Sequence, residues 1–328
     1  MKLKHYYRTI FLLLIAFNIS FVKAQTISTD VTSVKSCVGT VTIPITVSNI
    51  INISAISLTL NYDNSMLSWD SYQNEQDELS SGFLIVNSNG SQIIISWFSL
   101  SPVSFGDDTL VELKFTANAG VGDLTWDLSA PDNCLYTDAS YNNVAAIYKS
   151  GFVTVEDCSD IYGSVYYDNI SNTAMNNSTI ILKNVLGDKI DSTITDANGD
   201  FIFPSLFGGK YTIDVATTKA WGGVNSSDAL GIMRHFVLLD TIQGIRLAAA
   251  DVDASGFINT LDALFAAQRF ALFITSFPSG DWLFQADTVT LLSGVDTTTV
   301  IKAICYGDIN ASYLPPFVAP SPKVIIKE

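Results

Sequence analysis

The twelve residues Asp251-Val-Asp-Ala-Ser-Gly-Phe-Ile-Asn-Thr-Leu-Asp262 constrain this chain more than any other stretch. Counted from Asp251, side-chain oxygens fall at positions one (Asp251), three (Asp253), five (Ser255), nine (Asn259) and twelve (Asp262). Gly256 stands at six, where the backbone must turn sharply, and Phe257 at seven, where a main-chain carbonyl turns inward. A hard cation such as calcium takes about six to eight oxygens at short range, and this spacing folds one short segment around one ion. Ca2+ is therefore the expected cofactor, held by Asp251, Asp253, Ser255, the Phe257 carbonyl, Asn259 and Asp262. Only an exit helix, Ala263 to Ala271, is evident beside the loop.

The pattern occurs twice. Val224-Asn-Ser-Ser-Asp-Ala-Leu230 returns 34 residues later as Ile258-Asn-Thr-Leu-Asp-Ala-Leu264, and Phe236 matches Phe270 at the same offset. The first copy is incomplete: its positions one, three and five would be Thr217, Lys219 and Trp221, and Lys219 is itself a cation. Only Asn225 and Asp228 remain. Near the end of the chain, Asp308, Asn310 and Ser312 reproduce the missing positions one, three and five. Either the tail folds back to complete a second site from Asn225, Asp228, Asp308, Asn310 and Ser312, or that stretch is a coincidental turn.

A duplicated loop-helix unit whose loops end in Asp rather than a bidentate Glu resembles the dockerin module of cellulosome-type assemblies. The resemblance implies a calcium-organised module over 217–275 and a cohesin-like protein domain as its partner. It also implies partner-reading side chains at loop positions ten and eleven: Ser226 and Ser227, then Thr260 and Leu261. These pairs differ between the repeats, which counts against two equivalent binding orientations. Apolar residues at helical spacing follow each loop: Leu230, Met233, Phe236 and Val237, then Leu264, Ala267 and Leu272.

Upstream the pattern is strand after strand. Val41, Ile43, Ile45 and Val47 alternate with polar residues, as do Ile56, Leu58, Leu60 and Tyr62, then Val111, Leu113 and Phe115, and the set closes at Phe152–Val155. The order Thr42-Ile-Pro-Ile-Thr-Val47, Leu58-Thr-Leu-Asn-Tyr-Asp63, Leu110-Val-Glu-Leu-Lys-Phe115 and Gly151-Phe-Val-Thr-Val155 resembles a cohesin or a related carbohydrate-binding sandwich, expected over 25–157. Trp69, Trp97 and Trp126 are either a sugar-stacking face or core residues. Residues 158–216 resemble the transthyretin-like or B-type sandwiches that act as stiff spacers. Within them Asp196, Asn198 and Asp200 imitate half a calcium loop, but Phe207 occupies position twelve, and Asn198-Gly199 is read as a hairpin turn. The expected fold is mainly β with a small α module: two consecutive β-sandwiches, a dockerin-like pair of loop-helix units, and a tail, 276–328, packing on that module.

Residues 1–24 read as a secretory signal: Lys2, Lys4 and Arg8 precede the apolar run Ile10–Val22, and Ala24 precedes Gln25. The chain has 328 residues and a net charge of −15, which becomes −19, with 13 basic against 32 acidic residues, once that segment and its four basic residues are gone. Such a surface repels nucleic acid and anionic membranes, and no other stretch reads as a membrane span. The expected location is extracellular or at the cell surface. The absence of a cell-wall sorting motif leaves a longer natural chain open. Four cysteines in an exported chain imply two disulfides, and position in the chain favours Cys37–Cys134 and Cys158–Cys305 over free buried thiols.

Catalytic sets are not apparent. No nucleophile has a histidine partner, no zinc spacing or phosphate loop occurs, and His235 is alone in the mature chain, a packing or surface residue. The expected function is that of a secreted, non-catalytic, calcium-binding adaptor or scaffold in extracellular polysaccharide utilisation. The alternative is a surface protein that binds polysaccharide through the first sandwich; a glycoside hydrolase is the third reading.

Overall fold

The computed structural model describes residues 25–285 and 287–318, so the expected signal segment, 1–24, lies outside the described residues. The described residues divide into two compact units: one of 25–34, 42–115 and 122–152, the other of 35–41, 116–121 and the described residues from 153 on.

Strands β1 (Ile27–Val31), β2 (Val34–Cys37), β3 (Gly39–Ser48), β4 (Ile50–Asn61) and β5 (Leu67–Gln73) come first. After them run β6 (Phe83–Asn89), β7 (Gln92–Phe105), β8 (Asp108–Ala117), β9 (Gly120–Trp126), β10 (Leu135–Asp138), β11 (Asn143–Val144), β12 (Ala146–Lys149) and β13 (Gly151–Glu156). In the first unit one sheet runs β12-β1-β3-β8-β5, and β1 is parallel to β12. The other carries β11-β10-β4-β9, with β7 paired to both β4 and β6. The expected alternation holds: Val41, Ile43, Ile45 and Val47 of β3, Leu58 and Leu60 of β4, and Leu113 and Phe115 of β8 are all buried. Successive side chains of a strand point to opposite faces, so one apolar set fills the space between the sheets.

The second unit is a sandwich interrupted by helices. Strands β14 (Ser159–Tyr167), β15 (Thr179–Lys183), β16 (Lys189–Ile194), β17 (Asp200–Leu206) and β18 (Gly209–Ala216) precede α1 (Ser226–Phe236), α2 (Ile245–Ala250) and α3 (Thr260–Phe270). The chain then returns as β19 (Trp282–Phe284), β20 (Asp287–Leu291) and β21 (Thr297–Cys305). The sheets are β17-β14-β21-β19 and β16-β15-β18-β20. Strand β21 lies inside its sheet, parallel to β14 from Ile161↔Thr297 to Tyr167↔Ala303. The sandwich therefore extends beyond 158–216, and the tail supplies three of its strands before reaching the helices. Parallel neighbours need a long crossover, and here it runs through β15–β18, the helical module, β19 and β20. The Asn198-Gly199 turn joins β16 to β17, which belong to different sheets, so it is a corner and not a hairpin. The module has its own core of Val224, Ile232, Ala250, Val252, Ala263, Ala266, Phe277 and Ile309.

The expected cysteine pairings are overturned. Cys37 bonds Cys158, with Cα atoms 5.4 Å apart, whereas Cys134 and Cys305 are free and buried. The Val38 amide donates to the Glu156 carbonyl (3.0 Å), which lays the chain leaving β2 beside the segment leaving β13. Cys134 is packed near the Thr59 carbonyl, and Cys305 is a core residue of the second sandwich. Sequence order does not report such neighbours. Reducing the bond, or replacing Cys37 and Cys158 by Ser, is expected to lower stability by about 2–4 kcal/mol, because the cross-link restricts the unfolded chain. Denaturant unfolding with and without reductant checks this.

Candidate metal centre and docking faces

The contiguous loop is shaped by its own amides. Asp251 accepts from Ser255 N through Oδ1 (3.0 Å) and from Gly256 N through Oδ2 (2.8 Å), and Asp253 Oδ1 accepts from Ser255 N (3.0 Å). Buried Asp262 accepts from Val252 N (3.0 Å) and Asp253 N (3.3 Å) through Oδ1, and from Asn259 N (2.9 Å) through Oδ2. The Phe257 carbonyl accepts from Ser255 Oγ (3.2 Å). Gly256 turns the chain at φ 82, a left-handed conformation that glycine adopts without penalty. One carboxylate oxygen from each of Asp251, Asp253 and Asp262 lies within 4.8 Å of the other two. Burial pushes the Asp262 carboxyl above its ordinary range, while the Ser255 hydroxyl beside Asp253 holds that carboxyl below it. Three carboxylates, a hydroxyl, an amide and a carbonyl make an all-oxygen donor set of the kind calcium takes.

The tail does come back to the first copy, and most of the polar contacts correspond, the Val252 amide bond to Asp262 being one without a counterpart. Asp308 Oδ1 and Oδ2 accept from Ser312 N (3.0 Å) and Tyr313 N (3.1 Å), as Asp251 accepts from Ser255 and Gly256. Asn310 Oδ1 accepts from Ser312 N (2.9 Å), in the role of Asp253. Asp228 Oδ1 accepts from Asn310 N (3.1 Å) and its Oδ2 from Asn225 N (2.9 Å), as Asp262 does from Asp253 and Asn259. Ser312 Oγ donates to the Gly223 carbonyl (3.3 Å), which stands where Phe257 stands in the other loop. Asn225 and Asn259 cap α1 and α3 identically, each side chain accepting from the amide two residues on. Asn225, Asp228, Asp308, Asn310 and Ser312 are thus together.

Two residues of this second set escaped the sequence reading. The Gly223 carbonyl was signalled by the repeat, since Gly223 precedes Asn225 by the same two residues as Phe257 precedes Asn259. Tyr167 carried no signal: its hydroxyl donates to Asp308 Oδ2 (2.5 Å) from strand β14. The residues at the incomplete loop's own positions have other work. Lys219 Nζ donates to Asn176 Oδ1 (2.7 Å) and the Pro316 carbonyl (2.6 Å), and Trp221 lies under the Arg269 guanidinium, 3.6 Å from its centre.

The apolar stripe expected on the helices faces outward. Leu230, Met233, Phe236, Val237, Leu264 and Leu272 are exposed, while the inward positions are Ile232, Ala263 and Ala266. The exposed residues Ser226, Ser227, Thr260 and Leu261 open the two helices beside this stripe. A second exposed apolar face lies in the first unit, where Phe83 and Ile85 of β6 adjoin Ile94, Phe98 and Leu100 of β7 and the Phe83 and Phe98 rings stack at 5.4 Å. Clustered apolar surface of this kind marks interaction sites.

Of the two readings of the tryptophans, the geometry favours core residues over a sugar-stacking face. Trp97 and Trp126 are buried, their indole N–H groups donating to the Leu79 carbonyl (2.8 Å) and the Lys149 carbonyl (3.1 Å), and Trp69 meets Phe115 edge-on. His235 Nδ1 accepts from Ile242 N (3.1 Å), holding the loop after α1. Among the described residues no helix is long and apolar enough to cross a membrane.

Comparison with known proteins gives two domain matches: residues 27–155 match the cohesin domain and residues 222–271 the dockerin type I domain. Dockerin type I domains bind calcium. Among solved structures, a non-cellulosomal cohesin from the hyperthermophilic archaeon Archaeoglobus fulgidus is 17% identical, covers 40% of this chain and 91% of its own, and has a TM-score of 0.34. A cohesin–dockerin complex from Clostridium thermocellum is 17% identical over 40% of this chain and 93% of that one, with a TM-score of 0.35. A type I cohesin from Pseudobacteroides cellulosolvens is 18% identical over 39% and 91%, at 0.33. No curated protein sequence matches the chain.

Proposed function

The chain joins a cohesin domain to a dockerin type I domain, both non-catalytic assembly domains, and we propose that it is a calcium-dependent adaptor with one docking face of each kind. Calcium bound by Asp251, Asp253, Ser255, the Phe257 carbonyl, Asn259 and Asp262 neutralises the converging carboxylates and sets the start of α3. The ordered pair α1 and α3 then offers its apolar stripe, with Ser226, Ser227, Thr260 and Leu261 at its edge, to a cohesin domain of another protein. The face on β6 and β7 offers the reciprocal surface to a dockerin. Export after loss of residues 1–24, an extracellular place of action and a role in polysaccharide utilisation complete this reading.

The observation that carries it is the outward stripe. An amphipathic helix pair that served only to pack would turn Leu230, Phe236 and Leu264 inward, yet that side is held by Ile232 of α1 and by Ala263 and Ala266 of α3. Capture of the full chain on an immobilised panel of cohesin domains tests the reading. Binding is expected in calcium, lost in chelator, and lost in Leu264→Asp with the circular dichroism unchanged. Retention of Leu264→Asp at wild-type level would remove the helices from the interface.

A further inference from the structure

We infer that the first loop-helix unit holds a second divalent-cation site, split across the chain, and that the cation there bolts the helical module to the sandwich into which it is inserted. The inference rests on the calcium reading of the contiguous loop and extends it to residues that the dockerin match, 222–271, does not reach. Positions one, three and five come from Asp308, Asn310 and Ser312, just after β21. Positions seven, nine and twelve come from the Gly223 carbonyl, Asn225 and Asp228, at the entry to α1.

Charge gives an argument independent of the loop's shape. Asp228 and Asp308 are both fully buried and belong to one hydrogen-bonded cluster. Among the described residues every Lys and Arg ion pair goes to another acid: Lys35 to Glu156, Lys149 to Asp30, Lys183 to Asp214, Arg234 to Asp240, Arg246 and Lys302 to Asp168, Arg269 to Asp281. Two buried carboxylates with no protein cation between them are costly, and a bound cation removes the cost. The backbone is also cut to fit. A Cβ on Gly223 would stand 2.4 Å from Asp308 Oδ2, and one on Gly222 2.4 Å from the Tyr313 ring, so only glycine admits the returning tail.

The coupling follows from what holds Asp308. The Tyr167 hydroxyl donates to Asp308 Oδ2 and accepts from Cys305 N (3.2 Å), and Tyr167 is a buried core residue of β14. A cation at this site therefore draws on the module for three ligands and on the segment that follows the sandwich's β21 for the other three. Ile309, between two of those ligands, packs into the module's core, where a Cβ on Gly231 of α1 would meet its Cδ1 at 2.5 Å. Residues 217–275 alone lack half of the donor set. The split site has two carboxylates against three in the contiguous loop, so it is expected to bind calcium at least about tenfold more weakly.

Calorimetric calcium titration of the metal-stripped full chain decides the matter. Two sites are expected. Asp251→Asn with Asp253→Asn should leave the weaker one, and adding Asn310→Lys, an exposed position, should abolish it. Asn310→Lys alone should leave only the tighter site, and Asp308→Asn should do the same if it folds. With the contiguous loop silenced, calcium should slow amide exchange in 223–229 and 306–313 together. One site in the wild type, lost on Asp251→Asn, would overturn the split site while sparing the contiguous one. No uptake at all would overturn both. Two sites unmoved by Asn310→Lys would place the second cation elsewhere and sink the inference.

Discussion

Chelating divalent cations is expected to unfold the helical module and cut cohesin capture by about a hundredfold. In the contiguous loop three carboxylate oxygens stand within 4.8 Å of one another, and Asp262 is buried. Their amide hydrogen bonds orient them but leave their mutual repulsion in place, so the metal's binding free energy is in large part the module's folding free energy. The module's core is small, eight buried side chains of which three are alanines, and its best apolar residues face outward. A metal-free module populated at about 1% would bind its partner about a hundredfold more weakly, since affinity scales with the competent fraction. Helical circular dichroism and amide exchange across α1 and α3, each with and without chelator, check the prediction. Unchanged protection of α3 in metal-free protein would show that packing alone holds the module.

The second large effect is expected at Trp97. Replacing it by Ala should destabilise the first sandwich by about 3–5 kcal/mol, because a fully buried indole leaves both lost apolar contact and a cavity. The Leu79 carbonyl would also lose its donor, and the turn at Gly82, whose Cβ position lies 2.7 Å from the indole Nε1, would lose its support. Trp97→Phe should cost less, retaining most of the volume and losing the hydrogen bond. Amide exchange within 27–155 during denaturant unfolding isolates this transition from that of the second unit. A loss below about 1 kcal/mol, accompanied by loss of polysaccharide retention, would restore the sugar-binding reading that burial of Trp97 now opposes.

Much of the local architecture was legible because it is set by short-range rules. Alternation of Val41, Ile43, Ile45 and Val47 places those side chains on one face of β3 whatever the strand pairs with. The spacing of Asp251, Asp253 and Asp262 brings a carboxylate oxygen of each within 4.8 Å of the other two, because a dozen residues and one glycine turn leave the backbone few alternatives. The likeness of 224–230 to 258–264 carried over to identical Asn caps on α1 and α3.

What escaped was what depends on partners distant in sequence. Thr297–Cys305 has the composition of any strand, and only its parallel pairing with β14 makes it the inner strand of a sandwich begun more than a hundred residues earlier. The apolar spacing of Leu230, Phe236 and Leu264 was read correctly as helical, but which side faces a core depends on what the helix lies against. Cys37 meets Cys158 because β2 and the chain after β13 run side by side, a fact of topology and not of order along the chain. The sequence by itself determined the run of candidate oxygen donors in the contiguous loop, the presence of a helix after each repeat and the strand faces, since spacing and side-chain chemistry act over a few residues, while α3 starts at Thr260, three residues before the Ala263 start read from the sequence. Only the tertiary structure decided that Asp308, Asn310 and Ser312 reach Gly223, Asn225 and Asp228, because the approach of two segments some eighty residues apart depends on the whole sandwich between and around them.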